Sequence, residues 1–126
     1  RQGALESDGR RALRVWLKAD LVFEPGPDGQ PALSEDGRRR LDSALGQFLE
    51  YREAGPLIVE GYSLAPDQAT RYLRSRARAS AVRSYLLQRF DLDASAVGFL
   101  GLGNEPVGDP PAEPWDGIAL AVFVSR

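Results

Sequence analysis

From Ala12 onward apolar and polar residues alternate: Leu13, Val15 and Leu17 are separated by Arg14, Trp16 and Lys18, and Leu21, Val22 and Phe23 extend the apolar run. This period of two predicts a strand over 12–23 with one buried face. Residues 24–31 hold three prolines and two glycines and predict a loop. Ser34 is a good N-cap, Glu35 and Asp36 suit the positive end of a helix, and Leu41, Ala44, Leu45, Phe48 and Leu49 fall on one stripe of an amphipathic helix. Gly55-Pro56 stops it, and Leu57-Ile58-Val59 leads into Gly61-Tyr62-Ser63 as a short central strand. Residues 68–90 carry neither proline nor glycine and predict a long helix, with Tyr72, Ser75, Ala79, Val82, Leu86 and Phe90 as its core stripe. A turn at 91–95, a strand over 97–102 and a loop with four prolines over 104–116 follow. The last strand alternates Ile118, Leu120 and Val122 with Ala119, Ala121 and Phe123; apolar on both faces, it belongs in the sheet interior.

The predicted order is therefore β-α-β-α-β-β. A sheet with one face to cover and two helices with one stripe each to hide imply an α/β two-layer sandwich, an about four-stranded mixed sheet with two amphipathic helices on one face. Residues 1–11 are polar and read as a tail or linker, and 12–126 as a single domain, which suits a chain of 126 residues. No apolar run approaches the length of a membrane span, so no direct membrane insertion by this stretch is expected. The chain begins at Arg1 and contains no Met, which suggests a piece of a larger protein.

Composition narrows the chemistry. With no Cys and no His, the usual metal ligands, thiol nucleophiles and the commonest general base are missing, and no P-loop, nucleophile elbow or paired carboxylates on one element replace them. The expectation is a protein that is not an enzyme and uses no cofactor or metal.

Of 16 basic residues only Lys18 is a lysine, and six of the arginines (Arg71, Arg74, Arg76, Arg78, Arg83, Arg89) lie on the long helix, which has no acid. Genome composition accounts for such a skew; so does a preference for planar forks that grip carboxylates or phosphates. Outside that helix 10 basic residues face all 18 acids, the six arginines divide between two flanks, and no recognition motif accompanies them, so no nucleic acid partner is expected. The triplet Arg38-Arg39-Arg40 is surrounded by acids and reads as a solvated face. Arg78, close to the core stripe, needs a carboxylate or carbonyl partner, supplied by an internal acid such as Glu60 or by a ligand.

Taken together, Val22-Phe23, Leu33-Ser34-Glu35-Asp36-Gly37, Ile58-Val59-Glu60-Gly61-Tyr62-Ser63, Ser75 with Arg78-Ala79, Val82, Tyr85 and Leu86, and Gly101-Leu102-Gly103-Asn104-Glu105 match a known pattern in order and spacing. Over 21–124 the chain resembles the OmpA-like C-terminal domain family, the peptidoglycan-associating module of bacterial envelope proteins. The resemblance implies a ligand pocket in which an Asp after the Gly-x-Thr motif holds the ammonium of diaminopimelate and the helix Arg holds its carboxylate. Arg78 matches that arginine, but Leu64 stands at the Asp position, Arg71 and Arg74 replace the usual Asn and Leu, and Asp116-Gly117 stands where the family has an Arg pair. Asp67, in the same loop, is the acid available to replace the one lost at Leu64. The candidate ligand-binding residues are Arg78, Tyr62, Ser63, Asp67, Arg71 and Arg74.

The expected function is a non-catalytic OmpA-like binding domain of a larger envelope protein, periplasmic and tethered through the rest of that protein to the outer membrane or cell envelope. Its peptidoglycan (diaminopimelate) binding is weak or lost, because Leu64 cannot hold an ammonium; other envelope proteins are the remaining partners. The alternative is a structural or protein-interaction domain that applies the arginine-rich helix to an acidic partner.

Overall fold

A computed structural model describes residues 10–48, 56–107 and 113–125. A four-stranded mixed sheet forms its base, built from β1 (Arg10–Lys18), β4 (Leu57–Tyr62), β5 (Val97–Gly101) and β6 (Gly117–Ser125) in the order β1-β6-β4-β5. β6 runs antiparallel to both β1 and β4, and β4 pairs with β5 in parallel. The last strand is thus interior, as its two apolar faces require. Helices α2 (Glu35–Phe48) and α3 (Gln68–Arg89) cover one face, completing the expected two-layer α/β sandwich.

The core follows the two periodicities. Leu41, Ala44, Leu45 and Phe48 of α2 and Ala79, Val82 and Leu86 of α3 meet Leu57, Val59, Val97, Ile118, Leu120 and Val122 of the sheet. Leu49 lies outside the described residues. On α3 the stripe is shorter than its sequence suggests: Ser75 is buried, but Tyr72, one turn earlier, is 50% exposed, and Phe90 is partly buried.

The first strand ends sooner than the apolar run implies. After Lys18 the chain makes a single helical turn, α1 (Ala19–Val22), so that Ala19 and Val22, three apart, both enter the core. The turn is held where Ala19 N donates to Asp116 O. The expected loop 24–31 is also more ordered than its composition suggests. β2 (Phe23–Pro25) and β3 (Pro31–Leu33) pair antiparallel around a 3₁₀ turn at Pro27–Gly29, where Asp28 and Gly29 take positive φ. Its turn-forming residues close a hairpin. At the other boundary β1 starts at Arg10, two residues inside the expected tail; residues 1–9 lie outside the described residues.

Two glycines bring α3 down onto the sheet. A Cβ at Gly61 would overlap the Ser75 carbonyl, and one at Gly101 would lie 2.7 Å from Arg76 Cα. Gly46, by contrast, has open space around it on the exposed side of α2. Gly61→Ala is therefore expected to destabilise the fold by about 2 kcal/mol or more, whereas Gly46→Ala should stabilise it by roughly 0.5–1 kcal/mol through helix propensity. Urea unfolding of the two variants beside the parent measures both signs; equal effects would place the helix-to-sheet contact elsewhere.

Candidate ligand site around Arg78

The helix-free face of the sheet accounts for Glu60. Arg14 Nε and Nη2 donate to its two carboxylate oxygens at 2.9 and 3.0 Å, reaching over β6, where Ala119 and Ala121 leave room. The side chains are 5% and 2% exposed, a fully desolvated bidentate pair. Glu60 is thus on the wrong side of the sheet to answer Arg78.

Tyr62 shares that face: its ring is buried against Trp16, which also meets Trp115 edge-on, and its hydroxyl accepts from Val107 N at 3.3 Å. Burial, and then the negative charge of Glu60, push the Tyr62 phenol well above the ordinary tyrosine range. Of the candidate ligand residue Tyr62, only the backbone carbonyl reaches the helix side.

That carbonyl is one of two groups that answer Arg78. Arg78 Nη1 donates to Tyr62 O at 2.8 Å and to Asp116 Oδ1 at 2.6 Å, and the guanidinium sits 5.5 Å from the centre of the Phe23 ring. The Arg78 side chain is 13% exposed and that of Asp116 is 42% exposed. Asp116 Oδ1 also accepts from Leu64 N at 3.1 Å, so one carboxylate oxygen joins α3, the β4–α3 loop and the entry to β6. The internal acid expected for Arg78 exists, but it is Asp116. The signal for it in the sequence is the acid Asp116 standing where the resembled family has an arginine.

The other candidates have local duties. Ser63 is buried, donates its N–H to Gly103 O and accepts from Ala65 N on its hydroxyl. Asp67 caps α3, accepting from Thr70 N and Thr70 Oγ1 at 2.9 and 3.0 Å, and these bonds hold its carboxyl below the usual carboxylate range. Arg71 spreads its fork over the carbonyls of Ala65 and Pro66. Arg74 is exposed and, among the described residues, makes no hydrogen bond or ion pair; with Arg78, Asp116, Phe23, Asp20 and Glu24 it lines a cleft of about 400 Å³ between α3 and the β2–β3 hairpin. Leu64, half exposed, lines a smaller neighbouring cleft with Lys18, Glu113 and Asp116. The structure thus brings Arg74, Arg78 and Asp116 together and leaves Tyr62, Ser63 and Asp67 in structural roles. Among the described residues no group of three or more acids is placed to hold a metal ion.

Comparison with solved structures gives this architecture its class. The chain superimposes on the periplasmic domain of Helicobacter pylori MotB with a TM-score of 0.64, at 15% identity over 96% of this chain and 86% of that one. The fold is the OmpA-like one. A second fragment of the MotB periplasmic domain gives 0.65 at 15% identity, covering 96% of this chain and 77% of that one. The OmpA-like domain of FopA1 from Francisella tularensis gives 0.58 at 16% identity, over 95% and 77%. No protein-family profile and no curated protein matches the sequence itself.

Within this OmpA-like fold the buried tyrosine offers a direct check. Because the folded state favours the protonated phenol, stability is full below the unfolded-state value near 10 and declines as pH rises past it, where the unfolded chain sheds the proton first. Ultraviolet titration should therefore show a phenol that ionises only as the protein unfolds; four tyrosines all titrating near 10 in the folded state would contradict the burial of Tyr62.

Proposed function

We propose that this chain is a non-catalytic OmpA-like domain of a larger bacterial envelope protein, periplasmic and tethered through the rest of that protein, in which the cell-wall pocket has been replaced by an internal ion pair. The fold it shares with the MotB and FopA1 domains supports the envelope setting. The observation that carries the rest is the 2.6 Å contact between Arg78 Nη1 and Asp116 Oδ1. A diaminopimelate carboxylate would have to displace a carboxylate that is already in place, tethered to the same chain and bonded to Leu64 N. Charge-assisted hydrogen bonds of this kind are worth about 1.5–3 kcal/mol each, and an intramolecular partner meets no association cost.

The ammonium side fares no better. Leu64 has no charge to offer, and Asp67, the acid in the same loop, is bonded to the first turn of α3. An amino-acid zwitterion needs both signs in one pocket, and here the two signs, Arg78 and Asp116, are paired with each other. Weak or lost peptidoglycan binding follows, with other envelope proteins as the remaining partners.

The reading in which α3 grips an acidic partner through its arginines has less support. Arg78 is paired with Asp116 and Arg89 with Asp42; Arg71 is bonded to two carbonyls, and Arg83 to those of Val97 and Ala94. Arg76 lies over the Phe99 ring. Only Arg74 has its fork wholly at large among the described residues.

Sedimentation with purified diaminopimelate-containing sacculi tests the proposal. The parent domain should stay in the supernatant, and Leu64→Asp combined with Asp116→Ala, which restores the acid and frees Arg78, should gain retention that Arg78→Ala removes. Salt-resistant retention of the parent that is lost in Arg78→Ala would overturn it, and so would a restored variant that binds no better.

A further inference from the structure

β5 is an edge strand of the sheet, bonded to β4 on one side and to no strand on the other. Its register fixes which backbone groups face outward. Leu102 N donates to Gly61 O, so by the period of two Gly98 and Leu100 also turn their peptide groups to β4. Val97, Phe99 and Gly101 turn theirs away.

Both outward groups of Val97 are occupied. Its N–H donates to Ala94 O, and its O accepts from Arg83 Nε at 2.6 Å. The N–H and C=O of Phe99 and of Gly101, by contrast, have no partner among the described residues. Nor does β5 carry the proline or charged side chain that commonly guards such an edge.

The two faces beside this edge differ in chemistry. On the helix side Arg76 and Arg83 stand over the Phe99 ring, 4.9 and 5.9 Å from its centre. Arg83 bonds only carbonyls, and among the described residues no carboxylate pairs with either guanidinium. On the opposite side Leu100 is 49% exposed. An open stretch of backbone thus runs between a pair of uncompensated cations and an apolar side chain.

From this juxtaposition we infer that the outer edge of β5 docks an extended acidic segment of another protein, which joins the sheet as a fifth strand. Laid antiparallel, two of its residues, separated by one, exchange both peptide hydrogen bonds with Phe99 and with Gly101. Their side chains fall on the helix side, beside Arg76 and Arg83, and the residue between them falls beside Leu100. The matching segment therefore reads acid, apolar, acid. Its carboxylates meet cations that no internal acid has neutralised. A second copy of this chain fits less well, because pairing β5 with itself about Phe99 gathers the Arg76 and Arg83 of both copies around one axis. The edge uses no residue of the Arg78 site, so its failure and that of the ion-pair proposal are separate.

NMR titration of the isotope-labelled whole chain with the end-blocked peptide Thr-Glu-Val-Glu-Thr tests it. Binding in the millimolar range is expected, with amide shifts centred on Phe99, Leu100 and Gly101 and slowed hydrogen exchange at the Phe99 and Gly101 amides. N-methylation of both glutamates removes the donors that face β5 and should abolish binding. N-methylation of the valine, whose N–H points away from β5, should leave binding within about twofold. The peptide Thr-Lys-Val-Lys-Thr should not bind, and Arg76→Glu should weaken binding of the acidic peptide about tenfold, with circular dichroism checking that this variant folds. No shift at millimolar peptide, shifts centred on Arg74 and Arg78, or equal binding by the glutamate-methylated or the lysine peptide would each overturn the assignment. So would a dimer of the chain alone that protects the same two amides, which would give the edge to a second copy.

Discussion

A guanidinium that a fold has largely withdrawn from water must be answered by an acceptor, and in this domain the answer comes from the chain itself. Arg78 meets Asp116 and the Tyr62 carbonyl, and the same Asp116 oxygen takes the Leu64 amide. Three segments distant in sequence, the middle of α3, the end of β4 with its following loop, and the approach to β6, are joined at one atom. The neighbouring backbone agrees, since Ala19 N donates to the Asp116 carbonyl and thereby ends β1. Asp116 thus contributes its side chain to the Arg78 pair and its backbone to the end of β1.

The same logic runs through the arginines. A guanidinium is able to bind two acceptors at once in a fixed plane, and α3 uses that ability inward. Arg71 gathers the carbonyls of the loop before the helix, Arg83 those of Ala94 and of Val97 at the start of β5, and Arg89 with Tyr85 holds Asp42 of α2. Arg76 and Arg83 lie over Phe99 and cover it. An acid-free helix with six arginines looks from its sequence like a surface for an anionic partner. Its charge remains, but most of its hydrogen-bonding groups are directed at carbonyls and carboxylates of the same chain.

How much of this is legible in the sequence depends on the range of the interactions. α2 and α3 are readable because their stripes repeat over three or more turns, and interior β6 is readable because Ala119 and Ala121 alternate with branched residues. The end of β1 is not, because Leu21-Val22-Phe23 continues an apolar run equally well as strand or as helical turn, and a contact with Asp116, nearly a hundred residues on, decides between them. Tyr72 sits correctly on the wheel but overhangs the sheet, which a wheel does not describe. For the site, local patterns locate Arg78 but pair it with the nearest acid in the family motif. Glu60 alternates to the opposite face of β4, where Arg14 takes it, a consequence of strand period two that follows from sequence position alone. Choosing Asp116 requires knowing that β6 enters beside the end of β4.

The central claim is that Arg78 Nη1 is paired from within, by Asp116, and a double-mutant cycle on Arg78→Ala and Asp116→Ala measures it most directly. Unfolding free energies of the two single variants and the double variant should show a coupling within the range of about 0.5–3 kcal/mol found for contacting charged groups. Strictly additive effects, with coupling indistinguishable from zero, would mean that the two side chains do not hold one another, and the pocket would then be open to a ligand carboxylate.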